Sequence, residues 1–192
     1  MKDSKAILRL GIMASGSGSN FAAVAAAIAA GQLPAEIAVL IYNNPQIKAL
    51  DRAAEYGIPT VFHDHRGVAR TDLDAAIVQT LQNYQVNCVV MAGWMRVVTP
   101  VLIDAFPDRI VNIHPSLLPS FPGIRSIEQA LAAQVKISGC TVHLVRPAVD
   151  SGPILMQAAV PVLPDDTAES LHARIQIQEH RILPAALQLL QV

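Results

Sequence analysis

The sequence has few charged residues, very few aromatic residues and no stretch that concentrates positive charge. Asp, Glu, Lys and Arg make up 15% of the 192 residues, Phe, Trp and Tyr make up 4%, and the formal net charge is −1. Proteins bind nucleic acids largely through lysine and arginine contacts to phosphates. Because no Lys/Arg run is present, the composition argues against DNA or bulk RNA as a partner.

Long hydrophobic runs and targeting signals are also lacking. The longest apolar run, FAAVAAAIAA at residues 21–30, is too short and too rich in alanine to span a bilayer. The N-terminal segment is not a signal peptide, because Arg9 interrupts its apolar run and charges of both signs precede it. We therefore expect a cytoplasmic protein that makes no membrane contact.

Only two cysteines are present, Cys88 and Cys140, and each lies in a strand-like apolar stretch. This placement predicts buried free thiols in a reducing compartment. A metal site needs more ligands than this pair offers, so we expect no metal.

Aliphatic side chains are abundant, and strand-like segments alternate with helix-like ones. The hydrophobic fraction is 52%, which suits one folded domain of 192 residues with a sizeable core. The alternation predicts an α/β fold with a doubly wound, mostly parallel sheet. The predicted strands are 7–13, 36–42, 58–62, 87–92 and 109–113, and the predicted helices are 19–30, 46–56 and 72–84.

The C-terminal part has a different pattern. Segments 140–145 and 153–162 are strand-like and are joined by RPAVDSG, which is too short to contain a helix. They should therefore pair as antiparallel strands. A final helix is predicted from about Asp166, with Asp165 or Asp166 as its N-cap and Glu169 in its first turn.

The loop MASGSGSNF follows the first predicted strand and opens the first helix. Gly16 and Gly18 allow a close ligand approach, and the serines and asparagine add donors where a helix N-terminus already favours an anion. The dinucleotide fingerprint is not met, because its third glycine would fall at Phe21, and the P-loop lysine is absent. The loop is therefore either a site for one phosphate or a tight turn with serine caps.

Asn112 and His114 lie two residues apart in a predicted strand, so they share one face at its carboxyl end. Open α/β sheets bind their ligands at that end. Pro115 fixes the backbone that follows. An amide donor beside an imidazole suits chemistry in which negative charge develops on an oxygen, although spacing alone supports a structural histidine equally well.

Asp150 lies in the short connection between the two C-terminal strands. Its carboxylate is able to cap that turn, or to hydrogen-bond His114 and accept a proton. His143 alternates with Thr141 and Val145 on one strand face, where it is either a core residue or a support for the site.

Five motifs together resemble the glycinamide ribonucleotide formyltransferases, a folate-dependent family of purine synthesis. They are SGSGSN, AGWMRVV, NIHPSLLPSFPG, AVDSGPIL and QIQEHRILP, and the resemblance covers about residues 8–188. It implies a Rossmann-like formyltransferase fold and transfer of a formyl group from 10-formyltetrahydrofolate, as co-substrate, to the amino group of glycinamide ribonucleotide.

The resemblance also implies a role for individual residues. The catalytic residues are Asn112, His114 and Asp150. The ribonucleotide site comprises Gly18, Ser19, Asn20 and Glu179, the last of which is otherwise read as an exposed helix residue. The folate site comprises Arg70, Met95, Arg96, Val97, Val98 and Asn112. Residues 1–100 then form a phosphate-binding half of the domain, and residues 101–192 a catalytic and folate-binding half.

One segment departs from the family. Relatives often carry histidines after the proline loop, residues 115–123, where this chain has Arg125 and Ser126. That leaves the catalytic trio intact.

Other functions fit the sequence less well. Methionyl-tRNA formyltransferase needs a second, basic domain, and formyltetrahydrofolate deformylase usually carries an N-terminal ACT domain. A sugar-nucleotide formyltransferase is expected to need a longer chain, and a non-catalytic nucleotide-binding module has no use for the trio. We therefore expect small-molecule substrates and a monomer or homodimer, with formyltetrahydrofolate hydrolysis as the main alternative.

Overall fold

The computed structural model describes residues 7–190, which contain seven strands and six helices. The strands are β1 (Leu8–Ala14), β2 (Ala35–Tyr42), β3 (Thr60–Phe62), β4 (Cys88–Met91), β5 (Ile110–His114), β6 (Ile137–Leu144) and β7 (Ile154–Pro161). The helices are α1 (Ser19–Ala29), α2 (Ala49–Glu55), α3 (Arg70–Asn83), α4 (Pro100–Ala105), α5 (Ser126–Ala132) and α6 (Ala168–Gln188).

All seven strands form one sheet in the order β3-β2-β1-β4-β5-β6-β7. The first five strands pair in parallel, whereas β5–β6 and β6–β7 pair antiparallel. The predicted doubly wound sheet with an antiparallel C-terminal strand pair is confirmed. Because the chain runs outward from β1 to β2 and then returns to β4, a crevice opens at the carboxyl ends of β1 and β4.

Each face of the sheet buries its own hydrophobic cluster. Along β1, Leu10 and Ile12 pack with the buried residues of α1 and α6, while Met13 points to the opposite cluster with α3 and α4. This alternation is the period of two expected of a strand. β4 has the sequence CVVM and all four residues are buried, as expected of a central parallel strand covered on both faces.

The cap predicted for the last helix is wrong by one or two residues. Thr167 is the N-cap of α6, and its side chain forms a reciprocal capping box with Ser170. Asp166 instead accepts a hydrogen bond from the backbone of Leu163 at 2.8 Å and pairs with Arg174 at 2.6 Å. The side chains of Thr167 and Ser170 each accept a hydrogen bond from the backbone N–H of the other residue. Asp166 is therefore not needed as the cap and pairs with Arg174 instead.

Two helices were not predicted from the sequence. α4 and α5 have six and seven residues, about two turns each, so neither is long enough to establish a hydrophobic period. The segment with Arg125 and Ser126 is the start of α5, where Arg125 adopts the left-handed conformation with φ 57°.

Both cysteines are buried and free, as predicted. Burial raises the pKa of the Cys88 and Cys140 thiols to about 12, which keeps them protonated and unreactive at neutral pH. No helix within residues 7–190 is long and apolar enough to cross a membrane.

Gly139 tests the close pairing of β6 with β7. A Cβ atom at this position would lie 2.0 Å from the backbone oxygen of Ala158, so Gly139→Ala should destabilise the protein by about 1–3 kcal/mol. Urea unfolding measures this difference. Gly16→Ala is the control, because no atom lies within 4 Å of the added Cβ; equal unfolding midpoints for the two variants would contradict the packing argument.

Candidate active site

A cavity of about 580 Å³ opens at the carboxyl ends of β1, β4 and β5. This is the crevice that the strand order creates. Its walls come from the loop into α1, the segment after β4, the end of β5, the start of α5, the β6–β7 connection and one face of α6, with lining residues in the ranges 16–20, 91–98, 112–115, 123–128, 143–150 and 172–179. Both predicted halves of the domain therefore contribute to one cavity.

His114 is buried at the end of β5, with only 6% of its surface exposed. Its Nδ1 lies 3.3 Å from Oδ2 of Asp150, and its Nε2 lies 2.9 Å from the backbone oxygen of Phe121. A carboxylate and a carbonyl both accept hydrogen bonds. A ring protonated on both nitrogens satisfies both contacts, so this geometry fits the imidazolium form.

Asp150 reaches His114 from the turn between β6 and β7, where it has φ 50°. Its Oδ2 also accepts the backbone N–H of Gly123 at 2.7 Å. Burial would raise the pKa of Asp150, but the neighbouring His143, the hydrogen bond from the Gly123 amide and the charge of His114 outweigh it and hold the pKa below its usual value. The carboxylate therefore stays ionised at neutral pH.

Asn112 and His143 are direct neighbours in the β5–β6 ladder. The Asn112 amide donates to Nε2 of His143 at 3.1 Å, and Nδ1 of His143 lies 3.0 Å from the Leu144 carbonyl oxygen. A neutral His143 with its proton on Nδ1 makes both bonds, and the second N–H of Asn112 is left for a ligand. Nε2 accepts from Asn112 in this tautomer and also lies 3.5 Å from Oδ1 of Asp150, so His143 lies between the amide and the carboxylate.

The loop into α1 requires glycine at one position. Gly18 is the N-cap of α1 with φ 68°, and a Cβ there would lie 2.6 Å from Cβ of Ala49. The loop is tied to α6 by two side-chain hydrogen bonds of 2.9 Å, from Gln176 to Ser19 and from Asn20 to Glu179. The other amide atom of Asn20, Oδ1, is buried without a partner among the described residues.

Glu179 is buried, not exposed on its helix, with 4% of its surface accessible. Burial raises the pKa of its carboxyl group, and the Asn20 hydrogen bond and the nearby His172 and His114 offset this only partly. The Glu179 carboxyl group is thus a hydrogen-bond acceptor in a low-dielectric part of the cavity wall. It is suited to accept hydrogen bonds from the hydroxyl groups of a ligand.

The structure brings together most, but not all, of the residues that the resemblance assigned to a substrate. Met95, Arg96, Val97 and Val98 line the cavity. Arg70 does not: it is the exposed first residue of α3 and lies outside the lining. Arg125 lines the cavity instead.

Sequence reasoning missed several groups that shape the site. Gln176 precedes Glu179 by three residues, so helical spacing alone places both on one face. The Phe121 carbonyl and the Gly123 amide are backbone groups and carry no sequence signal. Across residues 7–190, no three or more His, Cys, Asp and Glu side chains cluster so as to hold a metal ion.

Comparison with known proteins gives consistent matches along the chain. Residues 8–187 match the family described as formyl transferase. The phosphoribosylglycinamide formyltransferase of Bacillus subtilis is 36% identical over 180 residues, which are 93% of this chain and 92% of that protein. The crystal structure of glycinamide ribonucleotide transformylase 1 from Symbiobacterium toebii has a TM-score of 0.95 and 46% identity, covering 96% of this chain and 88% of that one.

Longer relatives also match. The trifunctional purine biosynthetic protein adenosine-3 of Drosophila melanogaster is 42% identical over 185 residues, which are 95% of this chain and 14% of that protein. The chain therefore spans about a seventh of the length of this relative.

The buried carboxyl group of Glu179 should lower stability at neutral pH. Since its pKa is raised in the folded state, folding favours the protonated form, and stability falls as pH rises from the unfolded pKa through the folded one. Glu179→Gln should therefore be more stable than the parent near pH 8, and this difference should disappear at acid pH. Chemical unfolding at a series of pH values measures it.

Glu169→Gln serves as the control of opposite sign. Hydrogen bonds from its own backbone N–H and from Thr167 lower the pKa of this exposed carboxyl group, so its contribution is present at neutral pH and lost in acid. This variant should be less stable than the parent at pH 8, and a gain like that of Glu179→Gln would contradict the analysis.

Proposed function

Since the chain belongs to the formyl transferase family, we propose that it transfers a formyl group from 10-formyltetrahydrofolate to the amino group of glycinamide ribonucleotide in purine biosynthesis. The observation that carries the proposal is the convergence of Asn112, His114 and Asp150 on one cavity, with the His114–Asp150 contact at 3.3 Å. The outermost two of these residues, Asn112 and Asp150, are 38 positions apart along the chain.

The ribonucleotide would bind along α1 and α6. Its phosphate is the single anion that suits the loop at Gly18 and Ser19, where helix amides and the helix dipole favour negative charge. Its ribose hydroxyls would donate to Glu179, whose neighbour Asn20 retains an unpartnered acceptor oxygen.

The folate would lie against the wall formed by Met95, Arg96, Val97 and Val98, with Asn112 beside its formyl group. The side chains of Met95 and Val97 are 74% and 48% exposed, so they offer apolar surface to a planar ring. Arg70 enters this scheme only if it moves, because it lies outside the cavity lining.

In the reaction, the amine of the ribonucleotide attacks the formyl carbon and a tetrahedral oxyanion forms. The free N–H of Asn112 donates to that oxygen, and the imidazolium of His114 stabilises its charge. His114 contributes through its charge while Nε2 stays on the Phe121 carbonyl, or directly if that hydrogen bond is exchanged for one to the oxyanion.

Proton transfer completes the reaction. The attacking nitrogen loses one proton and N10 of the folate gains one when the carbon–nitrogen bond to N10 breaks, so no net proton is consumed. Asp150 is ionised because its pKa is lowered, and it accepts the first proton directly, through His114 or through water. Tetrahydrofolate and the formylated ribonucleotide are released.

Hydrolysis of formyltetrahydrofolate is the alternative, because the same trio is able to act on water. The loop tied to α6 favours transfer, since a hydrolase has no use for a phosphate site beside a buried carboxylate. Purified protein supplied with both substrates should form tetrahydrofolate and the formylated ribonucleotide, measured by absorbance and mass spectrometry. Formate release at a comparable rate without the ribonucleotide would support the hydrolase.

Loss of the imidazole should impair the chemical step. His114→Ala should lower kcat by roughly 10²–10³-fold, as typically follows removal of one group that stabilises an oxyanion. His65→Ala is a matched control, because His65 is a partly buried histidine that contacts the Asn43 carbonyl at 2.9 Å outside the cavity. Steady-state kinetics should show a near-normal kcat for the control, and full activity of His114→Ala would remove the mechanism.

A further inference from the structure

The segment between β4 and α4, residues 92–99, forms one wall of the cavity. The backbone N–H and C=O groups of Arg96, Val97 and Val98 have no hydrogen-bond partner within residues 7–190, and all three residues line the cavity. Such a run acts like the edge of a sheet and is able to pair with a planar ligand that carries alternating donors and acceptors. This binding edge works only if the backbone is held in one position before the ligand arrives.

One end of the segment is held by Ser15, which follows β1. The Ser15 backbone N–H donates to the Gly93 carbonyl at 3.1 Å, and its hydroxyl oxygen accepts the N–H of Met95 at 3.0 Å. Ser15 is 7% exposed and is not part of the cavity lining. Its hydroxyl group therefore contacts the segment from outside the cavity.

The other end is held by Asp74 on α3. Its Oδ2 accepts the backbone N–H of Thr99 at 2.5 Å, and the residue is 2% exposed. Thr99 is the N-cap of α4, but its own side chain makes no capping bond, and its Oγ1 has no partner among the described residues. Asp74 thus supplies from another helix the acceptor that a capping box would supply from within α4.

Hydrophobic packing alone does not fix the segment. Trp94 and Val98 are buried in the cluster that contains Leu73 of α3, but apolar contacts are not directional and leave the peptide planes free to rotate. The two hydrogen bonds at Met95 and Thr99 fix those planes on either side of the free edge.

We propose that Ser15 and Asp74 are positioning residues, which hold residues 96–98 as a preformed edge for the heterocyclic ring of the formyl donor. This inference rests on the proposed function and assigns a role to two residues that do not touch the substrate. Burial of the Asp74 carboxylate with a backbone N–H as its partner has a desolvation cost. Its role in orienting the binding edge accounts for its presence at this place.

Asp74→Leu removes the acceptor of the Thr99 N–H and keeps a side chain of similar volume. Ser15→Ala removes the acceptor of the Met95 N–H. Each should raise the donor KM, and the dissociation constant for tetrahydrofolate, by roughly 10- to 100-fold. Asp74→Asn keeps an acceptor oxygen and should restore most of the affinity. For Asp74→Leu, the dissociation constant for the ribonucleotide should stay unchanged. Titration calorimetry gives both constants without turnover.

Asp72→Leu is the matched control, because Asp72 is an exposed acid two residues away on the same helix; it should bind the donor normally. Wild-type affinity for tetrahydrofolate in both Asp74→Leu and Ser15→Ala, with only a lower melting temperature, would overturn the proposal. Equal loss of both ligands by Asp74→Leu would do the same.

Two outcomes keep this test separate from that of the proposed function. If Asp74→Leu does not fold, Ser15→Ala, which adds no volume, decides the question by the same affinities. If the wild-type protein binds tetrahydrofolate but transfers no formyl group, the proposed function fails, while the dissociation constants still test the positioning role.

Discussion

Three separate segments of the chain meet at the carboxylate of Asp150. One oxygen contacts His114 at the end of β5 and the amide of Gly123 in the proline loop, and the other lies near His143 on β6. A buried carboxylate is tolerated only when donors surround it. The contacts that compensate for the burial of this carboxylate also orient the imidazole of His114. The same interactions therefore stabilise this part of the fold and arrange its reactive groups.

Side-chain hydrogen bonds also connect the two helices that line the ribonucleotide end of the proposed site. Hydrogen bonds from Asn20 to Glu179 and from Gln176 to Ser19 join the start of α1 to α6 beside the cavity. Most buried polar groups in proteins are hydrogen-bonded, but within residues 7–190 the buried Oδ1 of Asn20 has no partner, and neither do the backbone groups of residues 96–98. These groups belong to residues that line the cavity, where they are available to a polar ligand.

The sequence predicted the parts of the fold that repeat. Hydrophobic alternation located the parallel strands, and the i, i+2 rule placed Asn112 and His114 on one face. It did not locate α4 and α5, which at six and seven residues span too few turns for a helical pattern to be recognised, and it did not choose Thr167 over Asp166 as a cap. The contacts of His114 with Phe121 and of Asp150 with Gly123 involve backbone atoms, and the position of Arg70 depends on where α3 begins relative to the cavity. No residue pattern encodes those placements.

The Asn112–His143 pair has a consequence for how this part of the gene is free to vary. The two side chains meet because β5 and β6 are antiparallel and these residues are opposite each other in the ladder. A slip of one residue turns every side chain of a strand to the other face, so insertion or deletion of a single codon within β6 would dismantle the site without altering any of its chemical groups. The site thus depends on the spacing between these codons as much as on the amino acids that they encode.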